Sequence, residues 1–362
     1  MLHRYGESTV PGVQEQCAKA LVNKGWTLAN KFNDPAGAVA EYDALLHRYG
    51  DSTVPGVQEQ CAKALLHKGV TLGKKLNDPA GEVAVYDELL HRYGDSAVPG
   101  VQEQCATALR NKGWTLAEKL NDLAGAVAVY DDLLHRYGDS TVPGMQEQCA
   151  KALFNKGWTL GKKLNDPTGE VAVYDDLLHR YGDSTVPGVQ EWCAKALVNK
   201  GVTLGRLDDL AGAVACCNDL LARYSQSENP VIQAQCQFAL ANMVEPLLVW
   251  GRNAEAIQRI QQVLARTDNT NQKFAIMHFL LWLSAADTPL DDVLAAIRAL
   301  SPEVEFTWGW TDIRPLVDTL PEPRKTQAEC FIAFFGQHHD IALLESSLAN
   351  SSENRDMAFP PG

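Results

Sequence analysis

Asp51 to Gly94 reads DSTVPGVQEQCAKALLHKGVTLGKKLNDPAGEVAVYDELLHRYG, and Asp139 to Gly182 reads DSTVPGMQEQCAKALFNKGWTLGKKLNDPTGEVAVYDDLLHRYG. These two 44-residue stretches differ at six positions only. The same phrase surrounds His3, His47, His91, His135 and His179, each 44 residues after the last. A period of this size marks stacked supersecondary units, each of which buries its apolar face against its neighbours. Such an array grows by addition, so the 362 residues imply one elongated body more than a set of globular domains.

Within each repeat the apolar residues follow a helical period twice. Val13, Cys17, Leu21, Gly25, Leu28 and Phe32 recur at spacings of three or four, as do Val39, Tyr42, Leu46 and Tyr49. Two helices therefore form one repeat. The break between them is Asn33, Asp34, Pro35, where Asp offers an N-cap oxygen and Pro takes the first helical position; Asp78 with Pro79 and Asp166 with Pro167 repeat it. The second helix is expected to stop at Gly50, Gly94, Gly138 and Gly182, each turning left-handed. Gly25, Gly69, Gly113, Gly157 and Gly201 sit mid-helix, at about 1 kcal/mol each relative to alanine, which implies close helix approach.

Leu21 and Gly25 on the first helix, followed by Ala38, Tyr42 and Leu45 on the second, resemble the tetratricopeptide repeat (TPR) family over roughly residues 13–266. That family's usual unit has about 34 residues. The longer period here must lengthen both helices and the connection. HEAT-like repeats share the longer period and remain the alternative. The resemblance implies an all-α fold, a right-handed α-solenoid of tandem helical hairpins with a helical C-terminal cap.

The expected organisation is the end of a truncated repeat at 1–11, five tandem repeats over 12–230, a degenerate sixth over 231–268, a helical cap over 269–345 and a flexible tail over 346–362. The fifth repeat is one residue shorter and carries Cys217 where Tyr stood. The sixth survives as Cys236, Ala239, Leu240 and Asn242, with Pro246 predicting a kink. Helical patterns at 272–286, 290–300 and 326–335 supply the cap that a solenoid end requires. Met1 to Gly6 reads as the close of a second helix without its start, either a fragment of a longer array or an exposed helix face.

The net charge of −13 argues against a general nucleic-acid or membrane-surface binder. No secretory signal opens the chain, and Phe274 to Ala286 is too short to span a bilayer. Cys17, Cys61, Cys105, Cys149 and Cys193 are one position copied five times, read as core filler in a reducing, cytoplasmic setting. Adjacent Cys216 and Cys217 lack a zinc-ligand spacing. The histidines at 47, 91, 135 and 179 suit helix C-termini, and His338, His339 and Asp340 read as a solvated turn. Phe306, Trp308 and Trp310 read as buried in the cap, with a second contact site as the alternative. No catalytic constellation, phosphate loop or metal cluster has recognisable spacing, which implies a non-enzymatic chain without cofactor or metal.

Differences between near-identical repeats point to a binding surface. One position holds Val22, Leu66, Arg110, Phe154 and Val198; another holds Trp26, Val70, Trp114, Trp158 and Val202. If the first helix packs through Leu21, Gly25 and Leu28, these residues face away from that seam. In the resembled family this face lines a concave groove for extended peptides, and an Asn two residues before the glycine binds the ligand backbone. Asn23, His67, Asn111, Asn155, Asn199 and Asn242 hold that place, and an amide suits a strand's alternating groups. Lys19, Lys63, Lys151 and Lys195 lie four residues earlier. The expected partner is thus a protein or peptide, acidic or aromatic-containing, along a groove of roughly 50 Å that holds some ~15 extended residues. The competing reading is a structural repeat protein that self-associates into rings or filaments through its uncapped N-terminal face.

Overall fold

The computed structural model describes residues 8–265, 272–285, 287–300, 313–338 and 340–353. Residues 1–7, Phe306, Trp308, Trp310, His339 and residues 354–362 lie outside that set, as do the expectations placed on them. The described residues are helical or irregular, with no strand among them. None of their helices is long and apolar enough to cross a membrane. The chain divides into two compact units, Met1–Ala196 and Leu197–Gly362.

The first unit holds four complete hairpins. They are α1 (Pro11–Asn30) with α2 (Pro35–Tyr49), α3 (Pro55–Lys75) with α4 (Pro79–Tyr93), α5 (Pro99–Glu118) with α6 (Leu123–Tyr137), and α7 (Pro143–Trp158) with α8 (Pro167–Tyr181). A π-helical turn, Thr159–Lys163, continues α7. First helices of 20 or so residues and second helices of 15 account for the long period. Each second helix packs on its own first helix, α2, α4 and α6 also pack on α3, α5 and α7 of the next hairpin, and the consecutive first helices α1, α3, α5 and α7 pack directly on one another. The result is an α-solenoid in which the first helices form one continuous wall.

The three-residue break makes the hairpin turn. Asn33, Asn77, Asn121 and Asn165 adopt left-handed φ values of 51 to 53°. Asp34 N–H then donates to the Leu28 carbonyl at 2.8 Å, closing the first helix in the manner of a Schellman cap. Asp34 in turn accepts from Gly37 N–H at 2.8 Å and starts the second helix, and Asp78, Asp122 and Asp166 do the same. The left-handed turn therefore falls on asparagine and not on Gly50, Gly94, Gly138 and Gly182, whose φ values lie between −57 and −59°. Those glycines serve the seam between hairpins instead. Tyr93 Oη donates to the Gly50 carbonyl at 3.1 Å, and a Cβ on Gly50 would come within 2.9 Å of Arg92.

The mid-helix glycines do bring the helices together. A Cβ on Gly25, Gly69, Gly113 or Gly157 would lie 2.5 to 2.6 Å from the ring of Tyr42, Tyr86, Tyr130 or Tyr174. Each ring is no more than 1% exposed. Burying an aromatic ring stabilises by about 2–3 kcal/mol, more than the roughly 1 kcal/mol of helix propensity that glycine forfeits. Hairpins one and three pair Ala29 with Ala38 and Ala117 with Ala126 at the next layer, all buried. Hairpins two and four place Gly73 opposite Glu82 and Gly161 opposite Glu170, with both carboxylates buried.

The second unit contains the latter part of α9 (Pro187–Arg206), then α10 (Leu210–Tyr224), α11 (Pro230–Val249), α12 (Asn253–Leu264), α13 (Gln272–Ser284), α14 (Leu290–Arg298), α15 (Arg314–Asp318), α16 (Arg324–Ala333) and α17 (Ile341–Glu353). Pro246 lies inside α11, which ends three residues later, and Gly251 at φ 70° turns the chain toward α12. Phe279, Trp282, Phe331 and Phe335 form an aromatic core with centroids 5.4 to 6.5 Å apart. Residues 346–353 belong to α17 and not to a tail, because Leu344 and Leu348, one turn apart, are buried. Asp340 is exposed and caps that helix by accepting from Ala342 and Leu343 N–H.

Candidate functional site

The seam between hairpins decides which wall residues are available. Lys68, Lys112 and Lys156 each reach back to Asp43, Asp87 and Asp131 of the preceding second helix, at 2.5 to 2.6 Å. The buried thiols of Cys61, Cys105, Cys149 and Cys193 donate to the carbonyls of Tyr49, Tyr93, Tyr137 and Tyr181, at 3.4 to 3.5 Å. Burial pushes the Cys61, Cys105 and Cys149 thiols up to about 11, far from reactive thiolates.

The asparagine row takes part in the same seam. Asn111 Nδ2 donates to Tyr86 Oη of the preceding hairpin at 3.3 Å, and Asn155 is half-buried. His67, at the equivalent place, stacks on Tyr42 at 6.3 Å, and burial lowers its pKa. The expectation of a ladder of uncommitted amides is therefore corrected for Asn111 and His67, because the buried phenol one hairpin back needs a partner. Asn23 is exposed, while Asn199 and Asn242 are half-buried in the second unit.

The most variable position is also corrected. Val22, Leu66 and Val198 are buried, Arg110 donates from Nε to Gln148 at 2.8 Å, and Phe154 packs 5.1 Å from Trp192. Only Phe154 changes together with its partner one hairpin on. Gln148 follows the repeat, whereas Trp192 replaces the glutamine found at 60, 104 and 148. That single departure is the sequence signal for the Phe154–Trp192 contact.

The tryptophan row is different. Trp26 and Trp114 are 43% and 41% exposed, and Trp158 is half-buried. Trp114 and Trp158 meet with Phe154, Asn155, Tyr130, Glu118, Ala117 and Thr159 around a depression of about 300 Å³. Lys119 and Lys163 lie 5.8 and 5.3 Å from the Trp114 and Trp158 rings, and Lys163 also pairs with Glu118 at 3.2 Å. Tyr130, Glu118 and Thr159 were not anticipated from sequence. Burial raises the Tyr130 phenol well above its usual range, so it presents a neutral hydroxyl.

The lysine row is uneven. Lys19 and Lys63 are exposed, Lys151 pairs with Glu147 at 2.5 Å, and Lys195 lies 4.1 Å over the Trp192 ring. The four lysines therefore do not form a uniform basic stripe. The geometry offers one aromatic depression with flanking cations, suited to holding an apolar or aromatic group by area burial and cation–π contact.

No family profile and no curated protein matches this sequence. Among solved structures, the chain is similar to a tetratricopeptide repeat protein from Parabacteroides merdae at 13% identity, covering 78% of this chain and 91% of that one, with a TM-score of 0.44. It is also similar to an engineered protein at 27% identity, covering 66% and 94%, with a TM-score of 0.41. A second engineered protein shows 20% identity, coverage of 96% and 86%, and a TM-score of 0.47. What makes the fold tetratricopeptide-like is the hairpin itself, with a first-helix glycine seated on a second-helix tyrosine and the pair repeated along an all-α stack.

Proposed function

We propose that this chain is a non-enzymatic protein-interaction scaffold that holds an extended partner segment along the wall of first helices in its first unit. The observation that carries the reading is the aromatic depression of about 300 Å³ shared by Trp114, Phe154, Asn155 and Trp158. Buried aromatic anchors are where binding energy concentrates in protein interfaces. The depression takes an aromatic or large aliphatic side chain of the segment. Exposed Lys19 and Lys63 favour acidic residues toward the segment's other end. Asn155, which lines the depression, offers its amide to the segment's backbone.

The test is selection of displayed random peptides on the wild-type chain, followed by fluorescence anisotropy with the Trp114→Ala plus Trp158→Ala variant. Loss of affinity by about tenfold or more, with the thermal midpoint held, supports the site. Mass that grows with concentration, indifferent to those substitutions and accompanied by no peptide enrichment, would support self-assembly instead.

A further inference from the structure

In the first four hairpins a tyrosine ring fills the notch opposite the mid-helix glycine, and the following hairpin lays His67 on Tyr42 and Asn111 on Tyr86. Tyr86 shows the arrangement most fully, donating to Glu82 at 2.8 Å and accepting from Asn111 at 3.3 Å. The fifth hairpin keeps the glycine, Gly201, but has Cys217 where the ring should be. A Cβ on Gly201 would meet nothing nearer than 3.4 Å, and one on Gly205 nothing within 4 Å.

The missing ring leaves a cavity of about 130 Å³, open on one side. Its lining includes Gly201, Gly205, Ala213, Cys217, Asn242 and Pro246, all within the second unit. Asn242 stands in the place that Asn111 holds opposite Tyr86, yet its side chain has no hydrogen-bond partner among the described residues. Pro246 also deprives the Asn242 main-chain carbonyl of its helical donor. An apolar cavity of roughly 150 Å³ is enough to admit benzene.

We propose that this cavity is a binding site for a phenol ring, seated against Gly201 where the other hairpins seat their own tyrosine, with its hydroxyl on the Asn242 amide. Such a ring arrives either as a free para-substituted phenol or as a tyrosine side chain. This proposal is independent of the aromatic depression in the first unit.

Calorimetric titration of the full chain with p-cresol, toluene and N-acetyltyrosinamide tests it. Saturable p-cresol binding about tenfold tighter than toluene, the worth of one hydrogen bond, is the expected result. Binding of N-acetyltyrosinamide as well points to a tyrosine side chain, and binding of p-cresol alone points to a small free phenol. Cys217→Tyr restores the internal ring and should abolish p-cresol binding while raising the thermal midpoint. If that variant does not fold, Asn242→Leu decides the matter, since it should bring p-cresol and toluene to within about twofold of each other. No saturable p-cresol binding, equal binding of toluene to the wild type, or p-cresol binding unchanged in both variants overturns the proposal.

Discussion

The carboxylate of Glu82 occupies the space that a Cβ on Gly73 would need, and the two residues are a matched pair across one hairpin. Glu82 is 5% exposed, accepts from Tyr86 through Oε1, and accepts from Thr115 of the next hairpin through Oε2 at 3.0 Å. Gly161 and Glu170 repeat the pairing two hairpins later, while the intervening hairpin has Ala117 and Ala126. The array thus alternates between two interior solutions that near-identical surfaces conceal.

Gly73→Ala should destabilise by about 1–3 kcal/mol, because the added methyl overpacks a satisfied carboxylate. Adding Glu82→Ala recreates the alanine pair that hairpin one already tolerates. The double variant is therefore expected to be more stable than the sum of the two single changes. Urea unfolding of all four proteins measures the coupling, and strict additivity would show that the two residues do not share a site.

Burial raises the pKa of Glu82, outweighing the hydrogen bonds from Tyr86 and Thr115 and the charges of Lys74 and Lys119, which lower it. The folded state therefore holds this proton more tightly than the unfolded chain does. Its contribution to stability is fully present below the ordinary carboxyl range and is lost as pH rises through the folded pKa. The stability of wild type minus that of Glu82→Gln should accordingly fall as pH increases above the ordinary carboxyl range, then flatten. A difference that rises across that window would contradict the assignment.

Glycines at helical positions should divide sharply by what faces them. Gly113→Ala puts a methyl 2.5 Å from the Tyr130 ring and should cost about 1–3 kcal/mol. Gly205→Ala meets nothing within 4 Å and should stabilise by about 0.5–1 kcal/mol through helix propensity. Thermal melts of the two variants, run side by side, test this ordering.

Eight of the nine cysteines are buried, and Cys330 is half-buried. Native protein treated with an aromatic disulfide reagent at pH 8 should therefore release at most about one equivalent of thiolate, the rest following only after denaturant is added. Rapid native reaction of several thiols would mean that the hairpin seams open readily.

The fold was largely legible because each repeat encodes its own boundaries. Asn33, Asp34 and Pro35 mark the turn, and Gly25 with Tyr42 marks the packing. Misassigned turn chemistry was a matter of competition. Glycine is the usual left-handed residue, but asparagine also accepts that conformation, and here the tight approach of Arg92 and Tyr93 reserves Gly50 for the seam. The site was legible only in part. Trp114 and Trp158 emerged from variation between copies, whereas Tyr130 and Thr159 are nearly invariant in the repeat and carried no such mark; Glu118 varies as Asn30, Lys74, Lys162 and Arg206 do, as any solvated helix position would.

Periodicity, caps and the glycine–tyrosine code by themselves determined that this chain folds as stacked helical hairpins, because those signals act within one repeat and its nearest neighbour. Only the tertiary structure decided which variable residues are free. Arg110 and Phe154 are engaged by Gln148 and Trp192 one hairpin away, and the Asn111 amide is held by a phenol 25 residues earlier in the chain. Contacts of that kind depend on how one hairpin leans on the next, a geometry that spacing along a single helix does not specify.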